Sequence, residues 1–410
     1  MNKKKIFNDP VYGFVTIPSD LIFDIIDHPL FQRLRRIKQL GLTDLVYPGA
    51  LHTRFHHALG AMHLMQAALD NLRSKGHEIS AAEYEAMLIA ILLHDIGHGP
   101  FSHALENTLL LETHHEHLSC MMMEYLNEEF DGALDLTLRI FKDQYERKFF
   151  HQLVSSQLDI DRLDYLNRDS FFTGVSEGTI GADRIIKMLD IRNDEIVVEE
   201  KGIYSIENFL SARRLMYWQV YLHKTTVSAE KMLIELIKRA QWLASSGEDV
   251  FATPNLALFL KDTYKGEDLR HNAAIFQAYG QLDDFDIWAS IKMWIYHPDK
   301  VLRMLSNMLM ERKLFKVKLS NEPIAPGEAD LLREKIAQHF EISPEEAAYF
   351  VAYGSMSNSA YLAGGQIIHI LTKKGEIKDI AKASDLPNIK AMSKIVRKNY
   401  LCWVKPLSLR

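Results

Sequence analysis

Three histidines and an aspartate fall within the ten residues 94–103 of ILLHDIGHGPFSH: His94, Asp95, His98 and His103. Imidazole and carboxylate are the side chains that bind transition metals and move protons near neutral pH. Set against an apolar run such as LIAILL, they cost desolvation unless each finds a partner, and a metal ion or an anion supplies one. Eleven of the eighteen histidines lie between His52 and His117. Single ones, such as His63 in AMHLM or His77 in SKGHEIS, read as ordinary core or surface histidines. The cluster reads as a site.

A metal site needs several ligands on one point. His57 follows Arg54 by three residues, so both project from one face of a helix that begins near TRFHHALG. Adjacent helical residues point about 100° apart, so His94 and Asp95 share an ion only where their helix ends. Gly97, Gly99 and Pro100 supply that end. A fourth ligand comes from elsewhere, and SQLDIDRLDYLNRD is the strongest source. There Asp161, Tyr165 and Asp169 stand at i, i+4 and i+8 with Arg162 beside them; the plain alternative is a solvated charged face. Two imidazoles and two carboxylates suit Fe, Mn, Ni, Co or Zn better than Ca or a thiolate-held metal. In ARRLMYWQVYLHK, Arg213, Tyr217 and Tyr221 repeat the same spacing, which equally fits an aromatic core stripe edged by an arginine.

The elements that position these residues are mostly helical. Residues 1–20 carry Asp9-Pro10 and Gly13 around short β-prone pieces, a hairpin-like arm. From 21 to 250, segments such as LIFDIIDHPLFQRLRRIKQL, EYEAMLIAILL and SAEKMLIELIKRAQWL repeat apolar residues at helical spacing. Residues 251–410 continue helically to about 310, then turn to strand-like RKLFKVKLS, AYFVAYG and IIHILTKKGEIKDI. The expected fold is mainly α: a helical core with a short N-terminal β arm and a smaller α+β C-terminal region. Over 410 residues the net charge is −6, which argues against a dedicated duplex-DNA binder and makes nucleic acid an unlikely partner. Two cysteines, Cys120 and Cys402, leave no disulfide framework. No run of about eighteen apolar residues and no signal peptide occurs, so a cytoplasmic protein with no membrane span is expected.

The pattern H…HD…D, with His57, His94-Asp95 and Asp161, resembles the HD-domain metal-dependent phosphohydrolases. FQRLRRIKQLG, YPGALHTRFHHALG, HDIGHGPFSHALE, HHEHLSCMMM and DIDRLDYLNRD narrow the likeness to the deoxynucleoside triphosphate (dNTP) triphosphohydrolases. Within them it is greatest to the branch that in animals also carries a sterile-alpha-motif domain, here without that domain. The likeness spans roughly residues 5–225 and is loose beyond. It implies an HD-domain core and hydrolysis of a dNTP to deoxynucleoside and triphosphate. His57, His94, Asp95 and Asp161 would hold the metal, with Mg on the substrate phosphates. His103 would be the general acid for the leaving 5′ oxygen, oriented by Glu106 on a helix opened by Pro100; the family usually has Asp there. His98 and His115 would meet phosphate, as would Arg54, Arg162, Tyr165 and Arg213, Arg162 standing where the family has Lys. Gln39 and Asp169 would hold the 3′-hydroxyl, and Tyr221, on the helix face of Tyr217, would exclude a 2′-hydroxyl. Leu222 replaces a Gln of the nearest relatives.

The likeness also implies regulation. Lys5, Ile6, Asn8, Asp27, Gln32 and Arg35 match positions that bind an activating guanine nucleotide at subunit contacts, and Arg184 and Lys201 fit a neighbouring site for a second nucleotide; GTP or a dNTP would be the activator. A homo-oligomer, tetramer or dimer, goes with it. Two other readings stand beside this one. One is another HD-family nucleotide phosphohydrolase, although the Gly-Tyr-Pro signature of cyclic-dinucleotide enzymes is missing. The other is a non-catalytic nucleotide sensor or single-strand nucleic-acid binder, which the intact ligand set disfavours.

Overall fold

A computed structural model of the chain describes residues 5–101, 104–358, 367–386 and 396–405. The arm is an antiparallel hairpin of β1 (Ile6–Asp9) and β2 (Gly13–Thr16). Its turn is built by the Asp9 carboxylate, which accepts from the amides of Val11 and Tyr12, and by Gly13 at φ +77°. A first helix, α1 (Asp20–Asp27), starts at a Ser19 cap.

The centre is made of α2 (Arg54–Ser74), α3 (Ala81–Leu93), α4 (His115–Glu129) and α5 (Ile160–Thr173). Ser80 and Glu83 form a reciprocal cap at the start of α3, fixing where LIAILL begins its run through the core. Residues 86–93 of that helix are all buried. Asp159 caps α5 through the Arg162 amide, and Gly174 at φ +74° ends it. These signals set the phase of each helix, and hence which side chains meet at the centre.

One hairpin interrupts the helical stretch. Strands β3 (Leu189–Arg192) and β4 (Glu195–Glu199) pair antiparallel across Asn193-Asp194, both at positive φ, the geometry of a primed two-residue turn. The chain continues through α6 (Ile203–Met216), α7 (Lys224–Ser245) and α8 (Asp284–Trp294). After residue 315 come β5 (Lys316–Ser320), β6 (Val351–Asn358), β7 (His369–Leu371), β8 (Ile377–Asp379) and β9 (Val396–Trp403). Strand β9 lies between β5 and β6, antiparallel to both. Strand β7 runs parallel to β4, so a four-stranded sheet in the order β8-β7-β4-β3 joins late and early parts of the chain. The protein is mainly α with small sheets. Among the described residues no helix is long and apolar enough to cross a membrane.

Candidate active site

Helix α2 brings Arg54 and His57 to the centre, α3 ends at His94, and α5 presents Asp161 from its first turn. His57 Nδ1 lies 2.6 Å from the buried Asp164 carboxylate, and His94 Nδ1 lies 2.6 Å from the Ile91 carbonyl. Both partners can only accept, so both Nδ1 atoms carry the proton and both Nε2 atoms present lone pairs. Those lone pairs face each other at 3.3 Å. Asp161 Oδ1 stands 3.1 and 3.4 Å from them, and Asp95 adds oxygens 3.4 Å from His94 Nε2 and 3.8 Å from His57 Nε2. Four acceptors converging on one point repel unless a proton or a metal ion lies among them.

The acid–base balance points the same way. Burial opposes charge on His57, yet hydrogen bonds to Asp161 and Asp164 outweigh it and push the imidazole up to about 10. Partial burial opposes charge on Asp161 as well, yet its contacts with the two histidines hold it far below the usual carboxylate range. The cradle attracts positive charge, and His57, His94 and Asp161 bring two nitrogens and an oxygen close enough to hold a divalent transition metal, while Asp95 groups with His98 and His115.

Behind Asp95 the chain turns sharply. Gly97 is required there: a Cβ would sit 2.2 Å from the Ser119 amide of α4. The turn brings the His98 ring onto that of His115, 3.9 Å apart and nearly parallel, with His98 Nε2 3.4 Å from Asp95 Oδ1. Glu106 accepts from the His115 amide at 2.7 Å and from its Nδ1 at 2.8 Å. The reading from sequence pairs Glu106 with His103; the latter lies outside the described residues. Phe101 adopts φ +51°, and among the described residues the α-helical turn that follows Pro100 is Glu106–Leu109. His114 is exposed and His117 faces Glu267.

Asp284, at the start of α8, holds that turn by accepting from the amides of Phe101 at 2.8 Å and Lys38 at 2.9 Å. Burial pushes its carboxyl up to about 6, against the pull of those amides. The folded protein therefore binds this proton more tightly than the unfolded chain does. Stability from Asp284 is present below pH ~4 and is lost as pH rises towards 6, about 3 kcal/mol in all. Asp284→Asn is expected to remove that slope. Unfolding free energies measured between pH 4 and 6.5 check it, and an unchanged slope would refute it.

On the other side of the cradle lie the residues expected to meet substrate. Arg54 pairs with Asp95, and Arg162 with the fully buried Asp159. Arg213 reaches Gln157 Oε1 at 3.1 Å. After Met216 the helix widens into one turn of π-helix, Tyr217–Tyr221, a local form common at functional sites. It stacks Tyr217 edge-on to Tyr221 at 5.2 Å and Tyr221 edge-on to Tyr165 at 6.0 Å. The Tyr221 hydroxyl donates to Asp169 at 2.8 Å, while His52 holds the other Asp169 oxygen at 2.7 Å. Leu222 follows the turn with its amide on the Tyr217 carbonyl. Several buried atoms here have no partner among the described residues: Arg162 Nε, Arg213 Nε, Gln39 Oε1 and His52 Nδ1.

The arm residues group as follows. Lys5 lies over the Phe23 ring, Arg35 over the Phe55 ring, and Arg35 Nε donates to Gln32 Oε1 at 2.8 Å. Ile6, Asn8 and Asp27 are exposed. Arg184 and Lys201 are neighbours, the guanidinium reaching the Lys201 carbonyl at 3.4 Å. Sequence reasoning passes over His52, Asp159, Asp164, Arg168 and Asp284. Asp164 and Arg168 sit in the quoted segment DIDRLDYLNRD, and the spacing of Asp164 three residues after Asp161 was the available signal.

Comparison with known proteins adds the family. The HD domain profile matches residues 54–169, and that of the HD associated region matches 180–249. A Bacillus subtilis protein described as uncharacterized, YwfO, is 32% identical over 397 residues, covering 94% of this chain and 88% of its own. A Dictyostelium discoideum protein named as a deoxynucleoside triphosphate triphosphohydrolase SAMHD1 homolog is 32% identical over 255 residues, 58% of this chain and 49% of that one. This chain thus spans about half of that relative's length. The crystal structure of a phosphohydrolase from Bacteroides thetaiotaomicron superposes with a TM-score of 0.95 at 54% identity, covering 98% of this chain and all of that one. Likeness of that extent, with the cradle inside the matched span, places the chain in the HD-domain phosphohydrolase family.

Proposed function

We propose that the chain hydrolyses dNTPs to deoxynucleoside and intact triphosphate. The observation that carries this reading is the set of buried polar atoms with no partner among the described residues, two of them on guanidinium groups. Fixed cations with unspent donors suit a polyphosphate, and an adjacent amide oxygen suits a sugar hydroxyl. The printed name of the Dictyostelium relative supports the same substrate class.

His57, His94, Asp95 and Asp161 would hold a divalent ion, which would supply Lewis-acid polarisation of a phosphoryl group and a lowered pKa for water. Arg54, Arg162 and Arg213, with Tyr165, neutralise and orient the phosphates; His98 and His115 meet phosphate from the Asp95 side. A water oxygen bonds to the α-phosphorus and gives up a proton to solvent as the bond to O5′ breaks, leaving intact triphosphate. His103 donates the proton that O5′ requires, a role that rests on the sequence alone. Asp169 and Gln39 take the 3′-hydroxyl. GTP or a dNTP bound near Lys5, Ile6, Asn8, Asp27, Gln32 and Arg35, or near Arg184 and Lys201, activates a homo-oligomer.

Incubation of the purified protein with each dNTP and Mn²⁺, with and without GTP, tests this. Chromatography is expected to show triphosphate and deoxynucleoside in equal amounts. Pyrophosphate with monophosphate, or stepwise loss of phosphate, would overturn the reading in favour of another nucleotide phosphohydrolase.

A further inference from the structure

Behind the cradle runs a buried line of charge that ends on the N-terminal hairpin. Asp164 Oδ2 accepts the Nδ1 proton of His57 at 2.6 Å. The same carboxylate accepts from Arg168 twice, at 3.0 Å from Nε and 2.9 Å from Nη2. Arg168 Nη1 then donates to Asp9 Oδ2 at 2.7 Å, and Asp9 Oδ1 takes the two amides that close the hairpin turn. His57, Asp164 and Arg168 are fully buried and Asp9 is 8% exposed. Helix α2 is cut away to admit the pair. A Cβ on Gly60, one turn beyond His57, would lie 1.9 Å from Arg168 Nη2 and 2.2 Å from Asp164 Oδ1.

Two carboxylates share one guanidinium in this line, leaving one negative charge that faces the His57 N–H. Carboxylates behind a ligating imidazole fix its ring and raise its basicity. Here the carboxylate is itself fixed by an arginine whose Nη1 is held by the arm. With Asp9 gone, Nη1 is a buried donor without an acceptor, and the guanidinium must shift or draw Asp164 off His57 to satisfy it.

We infer that Asp9 is a positioning residue for the metal site, acting through Arg168 and Asp164 on His57, so that seating of the hairpin and grip on the metal are one linked equilibrium. This rests on the reading of His57 as a metal ligand. Linkage is reciprocal: if the seated hairpin tightens the metal, the metal must tighten the hairpin. An arm that carries this contact transmits its own binding events to the catalytic ion.

The test measures Co²⁺ affinity and the visible spectrum of the Co²⁺-loaded protein for the unmodified chain, Asp9→Asn and Asp9→Ala. Asp9→Ala is expected to bind Co²⁺ roughly ten- to a hundredfold more weakly with an altered spectrum. Asp9→Asn keeps an oxygen acceptor and should recover part of the loss. Should Asp9→Ala not fold, Asp9→Asn and the unmodified chain still decide. In the unmodified protein, chelation should speed amide hydrogen exchange across residues 6–16. A folded Asp9→Ala that melts earlier but keeps full affinity and spectrum, or hairpin exchange indifferent to chelation, overturns the linkage alone. An unmodified protein that takes up no Co²⁺ overturns the metal reading, and the linkage with it.

Discussion

Asp161→Ala is expected to lose its metal and its turnover together while keeping its helices. Its carboxylate oxygen lies 3.1 and 3.4 Å from the two ligand nitrogens. Without it the two Nε2 lone pairs keep only Asp95, whose second oxygen is already drawn to Arg54. Loss of an inner ligand should exceed the roughly 10–100-fold effect of outer partners, so turnover should fall by more than about a hundredfold. The fold should not follow. Asp161 occupies the first turn of α5 with its side chain a quarter exposed, and the helix is capped by Asp159 instead. Asp159→Ala gives the contrast: it removes the cap and the partner of Arg162, and should cost about 1 kcal/mol or more of stability. Metal content after gel filtration, with circular dichroism, separates the two. Full metal occupancy in Asp161→Ala would sink the ligand assignment.

What sequence made legible, and what it did not, follows from distance along the chain. The helices announce themselves because apolar residues recur at their period, as in LIAILL, and because caps such as Ser80–Glu83 mark their starts. The ligand set is legible because glycines and a proline stand beside the His94-Asp95 pair, a local signature of a helix ending in a site. Strand β9, central to its sheet, was not anticipated, since KNYLCW has no strict alternation and both partners lie earlier in the chain. The β3–β4 hairpin could have been read from Asn193-Asp194, a favoured pair for a turn with both φ positive. The supporting charges were hidden for a different reason. Asp9 meets Arg168 across 159 residues and Asp284 meets Phe101 across 183. Nothing local distinguishes such an aspartate from a solvated one; only the fold shows that it is buried and committed.

The sugar is where the structure sharpens a residue-level expectation. Tyr221 is held from three sides: its hydroxyl donates to Asp169, and its ring meets Tyr165 and Tyr217 edge-on. The widened turn of backbone beneath it and the His52 contact on Asp169 leave the ring little room to swing. If Asp169 takes a 3′-hydroxyl as proposed, a ring bonded to that same carboxylate would border the neighbouring C2′. A fixed wall there would exclude a 2′-hydroxyl by clash, and Leu222 beside it offers no group to hydrogen-bond one. Ribonucleotides should therefore be cleaved about a hundredfold more slowly than deoxynucleotides, the scale on which a close pocket rejects one added hydroxyl. Tyr221→Ala should bring the two within about tenfold by admitting the ribose. Tyr221→Phe keeps the wall and gives up only the bond to Asp169, so it should keep the preference while raising KM for both. Steady-state kcat/KM for dATP and ATP across the three proteins decides. Equal turnover of ATP and dATP by the unmodified protein would show that no such wall operates, and would make the chain a general nucleotide phosphohydrolase.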